Sequence, residues 1–185
     1  MSENLAEMVT SAAEESPDGI AVKLDDIELN YAALNEGSAR MATVLREKGV
    51  SEGDRVGIML PNVPYFPVAY YGSFRPGAVV VPMNPLLKGR EVQFYLEDPE
   101  AKLLIAWHDF EDAARQGAEA AGADLILVKP GEFEQLLVDA EPSYDVSGRG
   151  GEDTAVILYT SGTTGKPKGA ELTHAKSRRR CRWPK

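Results

Sequence analysis

Apolar and polar positions along this chain follow two periods, one helical and one extended, and the switches between them mark out the elements. Leu5, Met8, Val9 and Ala12 recur at helical spacing, predicting an amphipathic helix over residues 3–15. Pro17-Asp18-Gly19 breaks it. Ile20–Leu24 and Ile27–Asn30, separated by Asp25-Asp26, predict a short β-hairpin. Residues 31–48 return to the helical period. Tyr31, Leu34, Ser38, Met41, Ala42 and Leu45 share one face, and Gly49 is placed to cap the helix.

From there the pattern is strand, then helix, repeated. Arg55–Leu60 is a short apolar run closed by Pro61-Asn62. A helix is predicted over Pro64–Phe74, and Arg75-Pro76-Gly77 stops it. Ala78–Met83 is rich in β-branched residues, Glu91–Leu96 is a short helix, and Lys102–Trp107 is a strand. Asp109–Ala121 is an Ala/Glu-rich helix capped by Gly122. Leu125–Val128 is a strand and Glu132–Asp139 a helix. Near-continuous apolar strands imply a sheet covered on both faces, and their alternation with helices implies parallel strands. The fold class expected is therefore α/β, a layered and mostly parallel sheet with flanking helices. Residues 142–153, PSYDVSGRGGED, read as a polar, Gly-rich loop or linker.

One more apolar run, Thr154–Leu158, leads into Tyr159-Thr160-Ser161-Gly162-Thr163-Thr164-Gly165-Lys166-Pro167-Lys168-Gly169. All of these but Tyr159 and Pro167 are Gly, Ser, Thr or Lys. That set suits a polyphosphate. Glycines let backbone N–H groups approach closely, hydroxyls donate further hydrogen bonds, and lysines supply positive charge. The position also fits, since ligands of open α/β sheets sit beyond the C-terminal ends of strands. The loop is not a Walker A motif: Gly162 and Gly165 are too close together, and Pro167 follows Lys166.

Charge and composition exclude other classes. The chain has 43% hydrophobic and 26% charged residues, within the range of an ordinary globular domain. No run approaches the roughly 20 apolar residues of a membrane span. The formal net charge is −9, and all six basic residues of 176–185 (Lys176, Arg178, Arg179, Arg180, Arg182, Lys185) lie in a stretch with no acidic one. The acidic body does not favour nucleic acid. The single cysteine, Cys181, permits no internal disulfide, which accords with a reducing cytoplasm.

Tyr159–Gly169 resembles the phosphate-loop signature of the acyl-adenylate-forming superfamily, the AMP-binding enzymes. Further stretches resemble it too: Glu171-Leu172-Thr173-His174, Leu34–Arg40, Gly53-Asp54-Arg55-Val56 and Gly77–Pro85. Within the superfamily, Val81-Pro82-Met83-Asn84-Pro85-Leu86 looks most like long-chain fatty acyl-CoA synthetases (ligases). The resemblance implies an incomplete N-terminal part of the adenylate-forming enzyme fold. It also implies a two-step reaction, in which a carboxylate and ATP give acyl-AMP and pyrophosphate and CoA then forms the thioester. The roles implied are phosphate binding by Thr160, Ser161, Gly162, Thr163, Thr164, Gly165, Lys166 and Lys168, with the Thr160 hydroxyl near Mg²⁺. The substrates implied are ATP, a carboxylic (fatty) acid and CoA. No nucleic-acid partner is expected, and peripheral membrane contact is left open.

The adenine- and ribose-binding segments, the hinge and the distal catalytic lysine of the family lie outside these residues. No catalytic residue is therefore assigned, and the chain by itself is expected to be inactive. The resemblance assigns residues 1–175 to a partial AMP-binding domain. It stops at Ala175, and 176–185 read as a frameshifted or disordered tail. Two alternatives stay open: a fragment of an aryl or amino acid adenylating enzyme, or a non-catalytic truncated binding module. His108 reads as a surface histidine and His174 as structural, with Thr173 as the N-cap of a helix. Trp107, Tyr65, Phe66, Tyr70 and Tyr71 read as core residues, with the lining of an acyl pocket as the alternative.

Overall fold

The computed structural model describes residues 3–160 and 167–180. Helix α1 (Ala6–Glu15) precedes the hairpin β1 (Ile20–Leu24) and β2 (Ile27–Asn30), followed by α2 (Tyr31–Glu47). Then come β3 (Arg55–Met59), α3 (Tyr65–Phe74), β4 (Val79–Pro82), α4 (Gly89–Glu97), β5 (Ala101–Trp107), α5 (Glu111–Ala121), β6 (Asp124–Val128) and α6 (Glu132–Asp139). The last elements are β7 (Thr154–Thr160), β8 (Lys168–Thr173) and α7 (His174–Arg180). The expected elements are present, several of them shifted by one or two residues. The start of the helix expected at Asp109 is instead a 3₁₀ turn, His108–Phe110.

Local chemistry sets several boundaries. The Asn30 side chain accepts the N–H of Ala33 at 2.8 Å and starts α2. Gly49 and Gly122 follow α2 and α5 with φ of +74° and +70°, the left-handed conformation that favours glycine at a helix end.

Six strands form one sheet in the order β6-β5-β3-β4-β7-β8. The first five are parallel, and β8 pairs antiparallel with β7. Alternate strand residues enter two cores, one on each face. Val56, Ile58, Val80, Leu103, Ile105, Ile126 and Val128 join the core beneath α1, α2, α3 and α6. Met59, Val81, Leu104 and Ala106 join the core beneath α4 and α5. This double burial is why β3, β4, β5 and β6 carry few polar residues. Each large apolar side chain taken fully from water contributes about 1.5–3 kcal/mol before entropy is counted. Where helices approach closest, glycine replaces bulk: a Cβ on Gly117 of α5 would sit 2.5 Å from Val92 Cβ of α4.

Residues 142–153 have no regular structure, yet they are pinned to the domain as a strap. Ser143 N–H donates to Ala39 O, Arg75 Nη1 to Tyr144 O at 2.9 Å, and Asn4 Nδ2 to Ser147 O at 3.1 Å. The strap carries the chain from α6 to β7 across the sheet.

Strand β8 was not expected from the pattern. Its residues from Lys168 to Glu171 are exposed, so no periodic apolar signal marks it. Its ladder with β7 defines it, running from Thr154↔Thr173 to Thr160↔Lys168. Helix α7 takes in the first residues of the basic tail, and Arg178 Nη1 lies 4.0 Å from Glu7 Oε2 of α1. Among the described residues, no helix is long and apolar enough to cross a membrane.

Candidate functional site

The polar motif joins β7 to β8, at the connected end of the hairpin. Of the residues assigned to phosphate, Thr160 and Lys168 are described. They are ladder partners and both are exposed. Ser161, Gly162, Thr163, Thr164, Gly165 and Lys166 lie outside the described residues. The hairpin places Thr160 at the C-terminal end of β7, the same end at which the parallel strands β3, β4, β5 and β6 finish. That is the edge at which ligands of such sheets bind.

Tyr159, the first residue of the motif, turns toward the α4–α5 face. Its hydroxyl donates to Asp98 Oδ2 at 2.5 Å, just past the end of α4. Its ring centroid is 4.5 Å from that of Tyr95 and 6.0 Å from that of Phe94. Burial, followed by the bond to Asp98, raises the pKa of the phenol above the ordinary tyrosine value. Gly169 lies opposite Tyr159, where a Cβ would meet Ile157 Cγ2 at 2.9 Å and the Tyr159 ring at 3.3 Å. Tyr95, Asp98 and the steric reason for Gly169 were not legible in the sequence. Asp98 is 61 residues from Tyr159, and nothing in its local pattern marks it.

Thr160 is the residue assigned to Mg²⁺. Among the described residues, no group of three or more His, Cys, Asp or Glu side chains could hold a metal ion. A lone exposed hydroxyl fits an ion that arrives on phosphate oxygens, as Mg²⁺ commonly does.

His174 is structural, as expected. It is fully buried, its Nδ1 accepts the Leu5 N–H, and Thr173 Oγ1 accepts the Lys176 N–H at 3.3 Å in capping geometry. His108 is partly exposed beside Asp109 at 3.2 Å. Cys181 lies outside the described residues.

The aromatic group divides. Phe66, Tyr70 and Tyr71 pack against the core. Tyr65 and Trp107, although they also touch it, line an apolar cleft of about 630 Å³ together with Leu24, Ile27, Val63 and Val138. The cleft lies over the β5–β6 side of the sheet, and none of its lining residues belongs to β7 or β8.

Comparison with known proteins agrees with this geometry. A family profile described as "AMP-binding enzyme" matches residues 9–183. The long-chain-fatty-acid–CoA ligase FadD13 of Mycobacterium tuberculosis (strain ATCC 25618 / H37Rv) is 36% identical over 152 residues, covering 80% of this chain and 30% of that protein. A feruloyl-CoA synthase of an Amycolatopsis species is 40% identical over 159 residues, 86% of this chain and 31% of that protein. The crystal structure of a benzoate CoA ligase from Burkholderia xenovorans LB400 superposes with a TM-score of 0.84 at 30% identity, covering 93% of this chain and 35% of that one. The chain thus spans about a third of the length of the relatives it matches.

Proposed function

This chain belongs to the AMP-binding enzyme family, and on that premise we propose that it is the polyphosphate-gripping N-terminal part of an AMP-forming acid–CoA ligase. The observation that carries the reading is the β7–β8 hairpin. Its connected end presents Thr160 opposite Lys168 at the carboxyl edge of a parallel sheet, with a run of Gly, Ser, Thr and Lys, and Pro167, between them. In this reading Thr160, Ser161, Gly162, Thr163, Thr164, Gly165, Lys166 and Lys168 surround the β- and γ-phosphates of ATP. Backbone and hydroxyl donors orient the triphosphate, and the lysines offset its charge. The Thr160 hydroxyl would reach Mg²⁺, whose charge would further neutralise the phosphates. A substrate carboxylate would attack the α-phosphorus, releasing pyrophosphate and leaving acyl-AMP. The thiol of CoA would then displace AMP.

For the acid we favour a long-chain fatty acid, on the likeness of Val81–Leu86 to fatty acyl-CoA ligases. The relatives named above act, by their names, on long-chain fatty, ferulic and benzoic acids. An aryl acid is therefore the competing substrate. The test is ATP–pyrophosphate exchange with a long-chain fatty acid, ferulate and benzoate, alongside binding of a fluorescent MgATP analogue competed by pyrophosphate. The expected result is competable nucleotide binding without exchange. By the resemblance, the family's adenine, ribose and distal-lysine segments lie beyond the third of those relatives that these residues match. Failure to bind the analogue overturns the phosphate reading. Exchange with ferulate or benzoate but not the fatty acid overturns the substrate class, and any robust exchange overturns the expected inactivity.

A further inference from the structure

We propose that Asp98 is a positioning residue for the nucleotide phosphates: by accepting the phenolic hydrogen of Tyr159 it fixes the end of β7, and through it Thr160 and Lys168. The proposal rests on the phosphate-binding reading of this hairpin and adds a residue that the motif does not contain.

The argument begins with how the hairpin hangs on the sheet. Among the described residues, the register between β4 and β7 pairs Val80 with Val156 and goes no further toward Thr160. Beyond Val156 the ladder of β7 runs to β8 alone, through Ile157↔Glu171, Leu158↔Ala170, Tyr159↔Gly169 and Thr160↔Lys168. A two-stranded ribbon of this kind is marginal without packing against something else. Ile157 packs into the core beneath α4 and α5, and the end of the ribbon is packed by α4. Tyr159 reaches sideways to it, with its ring against Tyr95 at 4.5 Å and Phe94 at 6.0 Å, and its hydroxyl on Asp98 at 2.5 Å. On the other side of the ring Gly169 leaves room for it, so the close fit couples β8 to the same anchor.

Helix α4 is itself well held, with Val92 and Leu96 fully buried in the core. Asp98, exposed just past the end of α4, therefore presents its carboxylate from a firmly held backbone. A hydrogen bond to a charged acceptor is stronger and more directional than a neutral one. It limits rotation of the Tyr159 side chain and hence the twist of the ribbon end. Thr160 and Lys168, one residue beyond the Tyr159↔Gly169 pair, are the first to benefit. Holding binding groups in place before the ligand arrives lowers the ordering cost of binding.

The test uses the 185-residue chain and a fluorescent ATP analogue with Mg²⁺. Asp98→Ala and Tyr159→Phe should each weaken binding about five- to tenfold. The double variant should be no weaker than the worse single one, because both remove the same bond. Asp98→Asn should recover most of the affinity, since its amide oxygen still accepts the phenolic hydrogen. Unchanged affinity in Asp98→Ala, or additive losses, overturns the proposal. Amide hydrogen exchange provides the second readout: the amides of Thr160 and Lys168 should exchange faster in Asp98→Ala, with the rest of the sheet unchanged. If the unaltered chain binds no analogue, the phosphate reading has failed. What is then decided by exchange alone is whether Asp98 fixes the end of β7: faster local exchange upholds that and unchanged exchange overturns it.

Discussion

His174 accepts the backbone N–H of Leu5 on Nδ1 at 3.1 Å, joining the last described helix to the first across 169 residues. Because Nδ1 is the acceptor, the neutral ring carries its proton on Nε2. Nε2 is buried and has no hydrogen-bond partner among the described residues. The imidazole packs edge-on to Phe74, with ring centroids 5.6 Å apart, and is fully buried. Burial first, and the charge of Arg149 second, push its pKa down to about 4, with Asp153 acting the other way. The same Leu5 corner is tied by Asn4, whose Oδ1 accepts the Ala6 N–H at 2.9 Å and whose Nδ2 donates to Phe74 O at 2.8 Å.

A pH dependence follows. The unfolded chain protonates this histidine near its ordinary value of 6.5, whereas the folded chain resists until about 4. Between those values the unfolded state binds more protons, so stability falls as the pH falls. Above about 6.5 both states are neutral and the group has no effect. The loss across the window is at most about 3 kcal/mol. Carboxylates titrate in the same range, so the measurement is a difference. Urea midpoints for the parent and His174→Gln at pH 7.5 and pH 4.5 should show a smaller drop in the variant. Equal drops would remove His174 as the cause.

Arg75 poses a second test. Its guanidinium is fully buried, with Nε donating to Ser38 Oγ at 3.0 Å, Nη1 to Tyr144 O at 2.9 Å and Nη2 to Asn35 Oδ1. Burial lowers its pKa to about 10, which still leaves it charged at neutral pH. The residue thus staples α2 and the 142–153 strap to the end of α3. Arg75→Ala removes these bonds and leaves buried acceptors unpaired, at a cost of about 3 kcal/mol. Arg75→Lys should recover little, because one ammonium cannot span three acceptors in this fork. Chemical denaturation of both variants decides it. A loss below about 1 kcal/mol in Arg75→Ala would mean that the strap is held elsewhere.

Arg75 also shows where sequence reading reached its limit. In the pattern Arg75-Pro76-Gly77 marks the end of a helix, and it does end one, but a buried arginine leaves no periodic trace. The same holds for Asp98 and for β8, whose residues from Lys168 to Glu171 are exposed. By contrast, β3, β5 and β6 were legible because both their faces are buried, and α2 because its apolar stripe and its Gly49 end agree. The site was half legible. Residue types at a strand end named the phosphate chemistry, but the contacts that hold Tyr159 come from a different part of the chain.

Gly117 of α5 and Gly122, which follows it, should both lose stability on gaining a Cβ, for different reasons. Gly117 is mid-helix, where alanine would normally gain about 1 kcal/mol. Here a Cβ would lie 2.5 Å from Val92 Cβ and 2.9 Å from Gln93 N, so α4 must move. Gly117→Ala should therefore destabilise by about 1–3 kcal/mol. Gly122 has open space around it but a φ of +70°, so Gly122→Ala meets only backbone strain of about 1 kcal/mol. Thermal unfolding ranks the two. Gly122→Ala proving the more harmful would contradict the close approach of α4 and α5.

The exposed position of Lys168 separates binding from stability. Its side chain projects from an edge strand and enters neither core, so Lys168→Ala should leave the unfolding midpoint within about 0.5 kcal/mol of the parent. If it faces phosphate, the same change should weaken binding of a fluorescent MgATP analogue about tenfold at low salt. The difference should shrink at high salt, as an exposed charge interaction must. Lys168→Arg keeps the charge and should retain much of the affinity. Thr160→Val keeps the shape and loses the hydroxyl. It should weaken binding less at low salt than Lys168→Ala does, and its effect should not change with salt, because a lost hydroxyl removes a contact rather than a charge. A salt-independent loss in Lys168→Ala would show that Lys168 acts through the hairpin's structure. No loss at all would place the phosphates away from this strand end.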